Sequence, residues 1–304
     1  MIVVSSLSKT YGRLGRRRVR ALDGVSIEVR RGETVGLIGP NGAGKTTLLS
    51  CLLGFLRPDS GSVSIGGLPP DDLAVRARTG YMPERLGFDR DLTGGAFLAQ
   101  HWRLSGGDPR EAGRRAAAAA ARVGLEGGVL LRKLSGYSRG MLQRIGIAQA
   151  TLGDPQLLFL DEPASGTDPG GVVIVRDRIL EAKGRGATIV LNSHQLPEVE
   201  KVCDRVVFLS GGRVAEEQTL RGERPAPRRA SIRVAPGRAA DAVAALASAG
   251  FAPESGSDGA IRVPVASDEN LAQALQTLAR ADVPVFEARS SMDLEDLFRR
   301  GGTA

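Results

Sequence analysis

Short apolar runs alternate with helical patterns over roughly the first 220 residues. Thr34-Val35-Gly36-Leu37-Ile38, Leu157 to Leu160 and Thr188 to Leu191 carry no polar face and are bounded by polar residues. Such runs predict buried strands of a parallel sheet. Gly80-Tyr81-Met82 predicts the end of another strand, and Lys45 to Leu53 predicts a helix. Arg205 to Leu209, a Gly211-Gly212 turn and Arg213-Val214-Ala215 predict a hairpin. Between about Arg85 and Ser135 the β-branched runs vanish and Ala-rich patterns take over, which predicts a helical insertion in an α/β domain.

The rhythm breaks at Gly222 to Arg229, where two prolines and a run of mostly basic charge leave no apolar face, as in a linker. It then restarts. Ser231 to Val234, Ile261 to Val265 and Val283 to Ala288 predict strands, with helices at Ala239 to Ala249 and Asn270 to Ala281. That β-α-β-α-β order suggests a small α+β domain with a ferredoxin-like pattern. The expected boundaries are residues 1–221, a linker at 222–229 and an accessory domain at 230–304.

Composition narrows the chemistry. The 304 residues are 42% hydrophobic and 25% charged, ordinary for a globular chain. A net charge of +7 and a pI near 10.0 invite a nucleic-acid or anionic-membrane surface. However, Lys9, Lys45, Lys133, Lys183 and Lys201 are the only lysines among the 41 basic residues, and there are 40 glycines. Much of the excess therefore reads as a compositional bias toward arginine. Aromatic residues, at 4%, are too few for a base-stacking platform. No apolar run reaches the roughly 18 residues a membrane span needs. The first residues lack a signal-peptide pattern, and Cys51 and Cys203 read as reduced, packed thiols.

Gly39-Pro40-Asn41-Gly42-Ala43-Gly44-Lys45-Thr46 matches the phosphate-binding pattern G-x-x-x-x-G-K-[ST]. Its glycines let backbone N–H groups turn toward phosphate oxygens at a helix N-terminus, where the dipole favours anions. Lys45 can reach the β- and γ-phosphates, and the Thr46 hydroxyl can sit on Mg2+. The pattern follows a predicted strand and opens a predicted helix, as that mechanism requires. Leu158 to Leu160 ends in Asp161-Glu162-Pro163. Asp161 can hold Mg2+ through water, and Glu162 can orient or deprotonate an attacking water.

Together these residues resemble the ATP-binding subunit of an ABC transporter. The resemblance implies an ATPase using ATP and Mg2+, with a P-loop α/β domain whose helical subdomain spans about 85–140. It adds Thr47 to the phosphate-binding set of Gly39, Asn41, Gly42, Ala43, Gly44, Lys45 and Thr46. The family's signature helix start is usually Leu-Ser-Gly-Gly-Gln. Leu134-Ser135-Gly136 matches by letters, but Tyr137-Ser138-Arg139-Gly140-Met141 is followed by Leu142-Gln143-Arg144 and starts 24 residues before Asp161, the family's spacing. The second register assigns Ser138 and Gly140 to the γ-phosphate held by a second copy. Ser138 as a plain helix cap is compatible with that role.

The resemblance extends to other loops. Ser165-Gly166-Thr167-Asp168-Pro169 is similar to the D-loop, with Thr167 where Leu is usual, and places Asp168 near nucleotide. Asn192-Ser193-His194 is similar to the H-loop, which makes His194 a γ-phosphate contact 32 residues beyond Glu162. His101, beside Trp102, reads as structural. Tyr11 is similar to the aromatic residue that stacks on adenine, with a core or turn tyrosine as the other reading. Glu84, in Tyr81-Met82-Pro83-Glu84, stands where most members have Gln and would face Mg2+ or its water. The Pro-Glu pair and the segment Ser291 to Phe298 resemble members that work with ABC-2-type membrane subunits. Arg13, Arg16, Arg17, Arg18 and Arg20 form a basic loop that is either solvated or close to lipid headgroups or nucleotide.

The resemblance therefore implies the ATP-hydrolysing subunit of an exporter, closing as a homodimer at the cytoplasmic face of the membrane. A soluble relative acting on ribosomes or DNA is the alternative. Ribosomal relatives generally carry two ATP modules and DNA-repair relatives a long coiled coil; this sequence has one module and no heptad run. No nucleic-acid partner is expected.

Overall fold

The computed structural model describes residues 1–12, 18–87, 89–221, 228–256 and 259–292. The chain divides into two compact units, Met1–Glu217 and Gln218–Thr303. The division falls ahead of the expected linker, and residues 222–227 of that linker lie outside the described residues. So do Arg13, Arg16 and Arg17 of the basic loop, and Asp293 to Phe298.

The first unit opens with β1 (Ile2–Tyr11) and β2 (Val19–Val29), followed by β3 (Thr34–Ile38), α1 (Lys45–Leu52) and β4 (Ser60–Ile65). β1 lies between β2 and β4, antiparallel to both. The sequence pattern does not announce this sheet. Ile2, Val4 and Leu7 are buried, but the two-residue alternation slips after Val4, where the register shifts and Ser6 takes a φ of +48°. A bulge of this kind hides the strand period.

A short helix, α2 (Leu73–Arg76), precedes β5 (Thr79–Met82). The helical region holds α3 (Gly94–Leu104) and α4 (Ala112–Ala121), then α5 (Arg139–Ala150). α4 buries Ala112, Ala116, Ala119 and Ala120, a spacing that keeps its small residues on one face. The chain continues through β6 (Leu157–Asp161), α6 (Pro169–Gly184), β7 (Thr188–Asn192), α7 (Leu196–Val202), β8 (Arg205–Ser210) and β9 (Arg213–Thr219). The central sheet has the order β5-β6-β7-β3-β8-β9, with β5 to β8 and β3 parallel. Every residue of β3, β6 and β7 is buried, as their unbroken apolar runs predict. The hairpin after Gly211-Gly212 is present, and its second strand runs on to Thr219. Cys51 and Cys203 are buried and form no disulfide with each other.

The second unit contains β10 (Arg228–Val234), α8 (Ala239–Ser248), β11 (Glu254–Ser255), β12 (Ile261–Val265), α9 (Asp268–Arg280) and β13 (Val285–Met292). Its antiparallel sheet has the order β11-β12-β10-β13. With the two-residue β11 included, the order becomes β-α-β-β-α-β, a ferredoxin-like arrangement. Ile232, Ile261, Val263, Leu246 and Leu278 form its own core. Residues 228 and 229, expected in the linker, belong to β10. The polar run there conceals the strand because only alternate positions, such as Ala230 and Ile232, point inward. No helix among the described residues is long and apolar enough to cross a membrane.

Candidate functional site

The carboxyl ends of the parallel strands converge on one cleft, where open α/β sheets place their ligands. β3 delivers the 39–46 loop, and α1 begins at Lys45. The loop depends on backbone that other residues cannot enter. Gly44 has φ +101°, and a Cβ there would lie 2.3 Å from the Ala21 carbonyl oxygen. A Cβ on Gly39 would lie 2.2 Å from the Leu209 oxygen. Gly42, in contrast, faces open space. The cleft holds about 640 Å3 and is lined by Asn41 to Thr47 with Glu84, Glu162, Ser165, Asn192 and His194.

Lys45 Nζ donates to the carbonyls of Gly39 at 2.7 Å and Pro40 at 3.0 Å, so it is folded across its own loop. Burial lowers its pKa, and the charges of Glu162 and Asp161 oppose that shift. Asp161 ends β6 and is buried. Burial raises its pKa, a hydrogen bond from Asn192 lowers it, and Glu84 and Glu162 raise it further. Asn192 Nδ2 donates to Asp161 Oδ1 at 2.5 Å, while Asn192 Oδ1 is buried with no partner among the described residues. Three carboxylates near one lysine, with an unmatched acceptor beside them, suit a cation. Mg2+ typically takes one or two carboxylates plus phosphate oxygens and water, rather than an all-protein cage. Among the described residues no group of three or more His, Cys, Asp or Glu side chains forms such a cage.

Glu162 occupies the left-handed region at φ +50°, a conformation that clusters at functional sites. Its N–H donates to Asn192 O at 2.8 Å. Gln143, buried on α5, donates from Nε2 to the carbonyls of Glu162 at 3.2 Å and Pro163 at 2.7 Å. The turn is thus held from two sides. Glu162 is 13% exposed in its side chain and lies with Oε2 2.8 Å from His194 Nδ1, whose side chain is 63% exposed.

The other expected residues are spread around this cleft. Tyr11 ends β1, is 45% exposed and pairs with Val19, which lines the cleft. Ser138 is the N-cap of α5, its Oγ accepting from Met141 N at 3.2 Å, whereas Leu134–Gly136 forms a separate 3-10 turn. The helix therefore starts in the second register. Gly140 lies in its first turn. Asp168 caps α6 by accepting from Gly171 N at 2.6 Å and faces Arg144 at 3.9 Å. Neither Ser138, Gly140 nor Asp168 lines the cleft of its own chain. His101 is packed on Phe97 with ring centroids 4.5 Å apart, in keeping with a structural role. Gln143, Asn192 and Ser165 had no assigned role from the sequence. A buried-helix glutamine gives no signal, but a polar residue closing an apolar strand, as Asn192 does, is a usable one.

The sequence model of the ABC transporter family matches residues 22–165. YdbJ of Bacillus subtilis, an uncharacterized ABC transporter ATP-binding protein, is 38% identical over 284 residues, covering 92% of this chain and 90% of that protein. The chain belongs to the ABC transporter ATP-binding proteins. An uncharacterized ABC transporter ATP-binding protein of Synechocystis is 46% identical over 68% of this chain, and the matched part spans only 59% of that protein's length. The daunorubicin resistance ATP-binding protein DrrA3 of Streptomyces coeruleorubidus is 36% identical over 72% of this chain and 68% of its own. Among solved structures, an ATP-binding subunit of an ABC transporter is 33% identical, with a TM-score of 0.65 over 72% of this chain and 90% of that one. A dimeric ATP-binding cassette in a post-hydrolysis state, bound to ADP and Pi, shares the fold at 24% identity, with a TM-score of 0.68 over 73% of this chain and all of that one. The shared ABC fold accounts for the parallel core, the antiparallel β1-β2-β4 sheet and the helical region in one unit.

Proposed function

We propose that this ABC protein hydrolyses ATP and that two copies close around nucleotide to drive separate ABC-2-type membrane subunits. The carrying observation is the convergence of the 39–46 loop, Glu162 and His194 on one cleft. In this reading Gly39, Asn41, Gly42, Ala43, Gly44, Lys45, Thr46 and Thr47 cradle the phosphates. Tyr11, beside the cleft, stacks on the base. Thr46 and Asp161 would hold Mg2+, with Glu84 facing it or its water. The ion neutralises charge on the phosphate oxygens. Glu162 orients the attacking water and takes its proton, while His194 keeps the carboxylate and the terminal phosphate in register. Lys45 leaves its loop carbonyls for phosphate oxygens.

Ser138, Gly140 and Asp168 lie outside the cleft of their own chain. Their proposed role is to complete the site of a second copy. The names of the ABC transporter relatives support a transport role, which we read as export through separate chains that span the bilayer at whose cytoplasmic face this protein works. In this proposal the first unit, Met1–Glu217, is the nucleotide-binding domain, and the second, which begins at Gln218, is an accessory domain that regulates turnover or strengthens the dimer.

The direct test is Mg2+-dependent ATP turnover by the purified protein, together with its co-purification partners. Turnover and a polytopic membrane partner are expected. No turnover with Mg2+ present, or association with RNA in place of a membrane chain, would overturn the proposal.

A further inference from the structure

Ser138 is flanked by two side chains that each rest on a glycine. Tyr137 is buried, and its hydroxyl donates to Val129 O at 2.8 Å. A Cβ added to Gly94 would lie 2.1 Å from that hydroxyl and 3.0 Å from the Tyr137 Cζ. Gly94 is the first residue of α3, and its N–H donates to Arg132 O at 3.2 Å. Leu134 N donates to Leu92 O at 2.9 Å, and Ser135 N to Arg90 O at 3.0 Å. Segments 90–94 and 132–135 are therefore laced together, and Tyr137 closes the seam just before Ser138.

On the other side, Arg139 is the first residue of α5. A Cβ added to Gly166 would lie 2.3 Å from the Arg139 Cζ and Nε and 2.6 Å from Nη2. Three guanidinium atoms at nearly equal distance mean that the plane lies flat over Gly166. That glycine belongs to the loop between Glu162 and the Asp168 cap. Ser138 itself has extended backbone at φ −67°, ψ 163°; its carbonyl accepts from Leu142 N at 2.9 Å and its Oγ from Met141 N at 3.2 Å, which ties it to the helix on one side and leaves its placement to the residues packed around it.

We propose that Tyr137 and Arg139 are positioning residues that set where Ser138 is presented, Tyr137 by docking on Gly94 and Val129 and Arg139 by docking on Gly166. This rests on the reading that Ser138 serves nucleotide held by a second copy. With Met141, these are the three positions where this chain departs from the usual family letters. A leucine at 137 would leave the Val129 carbonyl without its donor, and a glycine at 139 would leave Gly166 bare. Arg139 further packs the α5 start against the 164–168 loop of the same chain. A shift of about 1 Å in a positioning group can cost roughly 10²-fold in rate.

The test uses the full-length chain and the variants G94A, Y137L, G94A/Y137L, R139G, R139K and S138A. Steady-state kcat and KM, ATP affinity at a protein concentration too low for dimers, and melting curves are recorded. G94A is expected to lower kcat by about 10- to 100-fold with unchanged ATP affinity. Y137L should itself lower kcat by about 10-fold by removing the anchor, and G94A/Y137L should fall no further than Y137L, because the colliding hydroxyl is gone. R139G should lower kcat by about 10-fold, and R139K should not restore it, because lysine lacks the planar group. A folded G94A or Y137L with wild-type kcat, or a folded double variant whose loss is the product of the two single losses, overturns the Tyr137 role. Should G94A fail to fold, R139G carries the test, and wild-type kcat there overturns the proposal. Loss of turnover in S138A with wild-type kcat in G94A and R139G sinks this proposal alone. Wild-type turnover in S138A sinks the underlying reading and this proposal with it.

Discussion

His194 Nδ1 stands 2.8 Å from Glu162 Oε2, each residue extending from the end of a neighbouring parallel strand. The pair spans the gap between β6 and β7 at the mouth of the phosphate loop. His194 is thus placed beside the Glu162 carboxylate, with its exposed ring open to solvent. Replacement of His194 by Ala is expected to lower kcat by about 10²-fold or more while leaving ATP binding largely intact. Rapid-quench turnover and equilibrium ATP binding check this. An unchanged kcat would mean that the contact has no part in the chemistry.

Lys45 is stored on its own loop carbonyls and surrounded by carboxylates. Lys45→Ala should weaken ATP binding by about 10- to 100-fold, since a hydrogen bond to a charged group is worth roughly 1.5–3 kcal/mol. Calorimetric titration with ATP reads this directly. Wild-type affinity would remove the lysine from the phosphate site.

Asp161 carries a buried charge whose pKa is raised chiefly by burial, so its ionised form costs stability. Asp161→Asn keeps an acceptor for Asn192 Nδ2 and removes the charge. The variant is expected to melt higher than wild type without ligand, by roughly 2–4 °C for about 1 kcal/mol in a domain this size. Its Mg2+-dependent turnover should collapse. A lower melting temperature, or Mg2+-dependent turnover near wild type, would contradict the proposed trade of stability for a metal site.

Asp59 illustrates the opposite sign on the outer sheet. Hydrogen bonds from Lys9 Nζ at 2.9 Å and Thr10 N at 2.7 Å hold its pKa below the ordinary carboxylate value. A depressed folded-state pKa stabilises the fold above the unfolded value of about 4 and stops doing so as pH falls through the lowered one. The melting temperature of Asp59→Asn should therefore lie below wild type at pH 7 and converge with it as pH falls below the ordinary carboxylate range, with a smaller gap in high salt. A gap independent of pH would assign the effect to something other than the charge.

Much of the site was legible because its chemistry needs unbroken patterns. The glycine loop, the apolar run ending in Asp161-Glu162 and the strand before His194 each announce an element and bring a polar side chain to the cleft. What stayed hidden depends on contacts across the chain. The β1 strand is masked by the bulge at Ser6, and β10 begins within a stretch whose prolines and charges read as linker. Gln143 supports the Glu162 backbone from a helix that gives no sign of it. The Tyr137 and Arg139 departures make sense only once Gly94 and Gly166 are seen beneath them.

The central claim is that Glu162 acts on ATP sandwiched between two copies, and Glu162→Gln tests it most directly. Sedimentation of this variant with and without ATP and Mg2+, alongside its turnover, is the measurement. Expected are a drop in turnover of about 10²- to 10⁴-fold, retained ATP binding, and a dimer that appears only with ATP. Wild-type turnover, or a chain that stays monomeric with ATP bound, would contradict it.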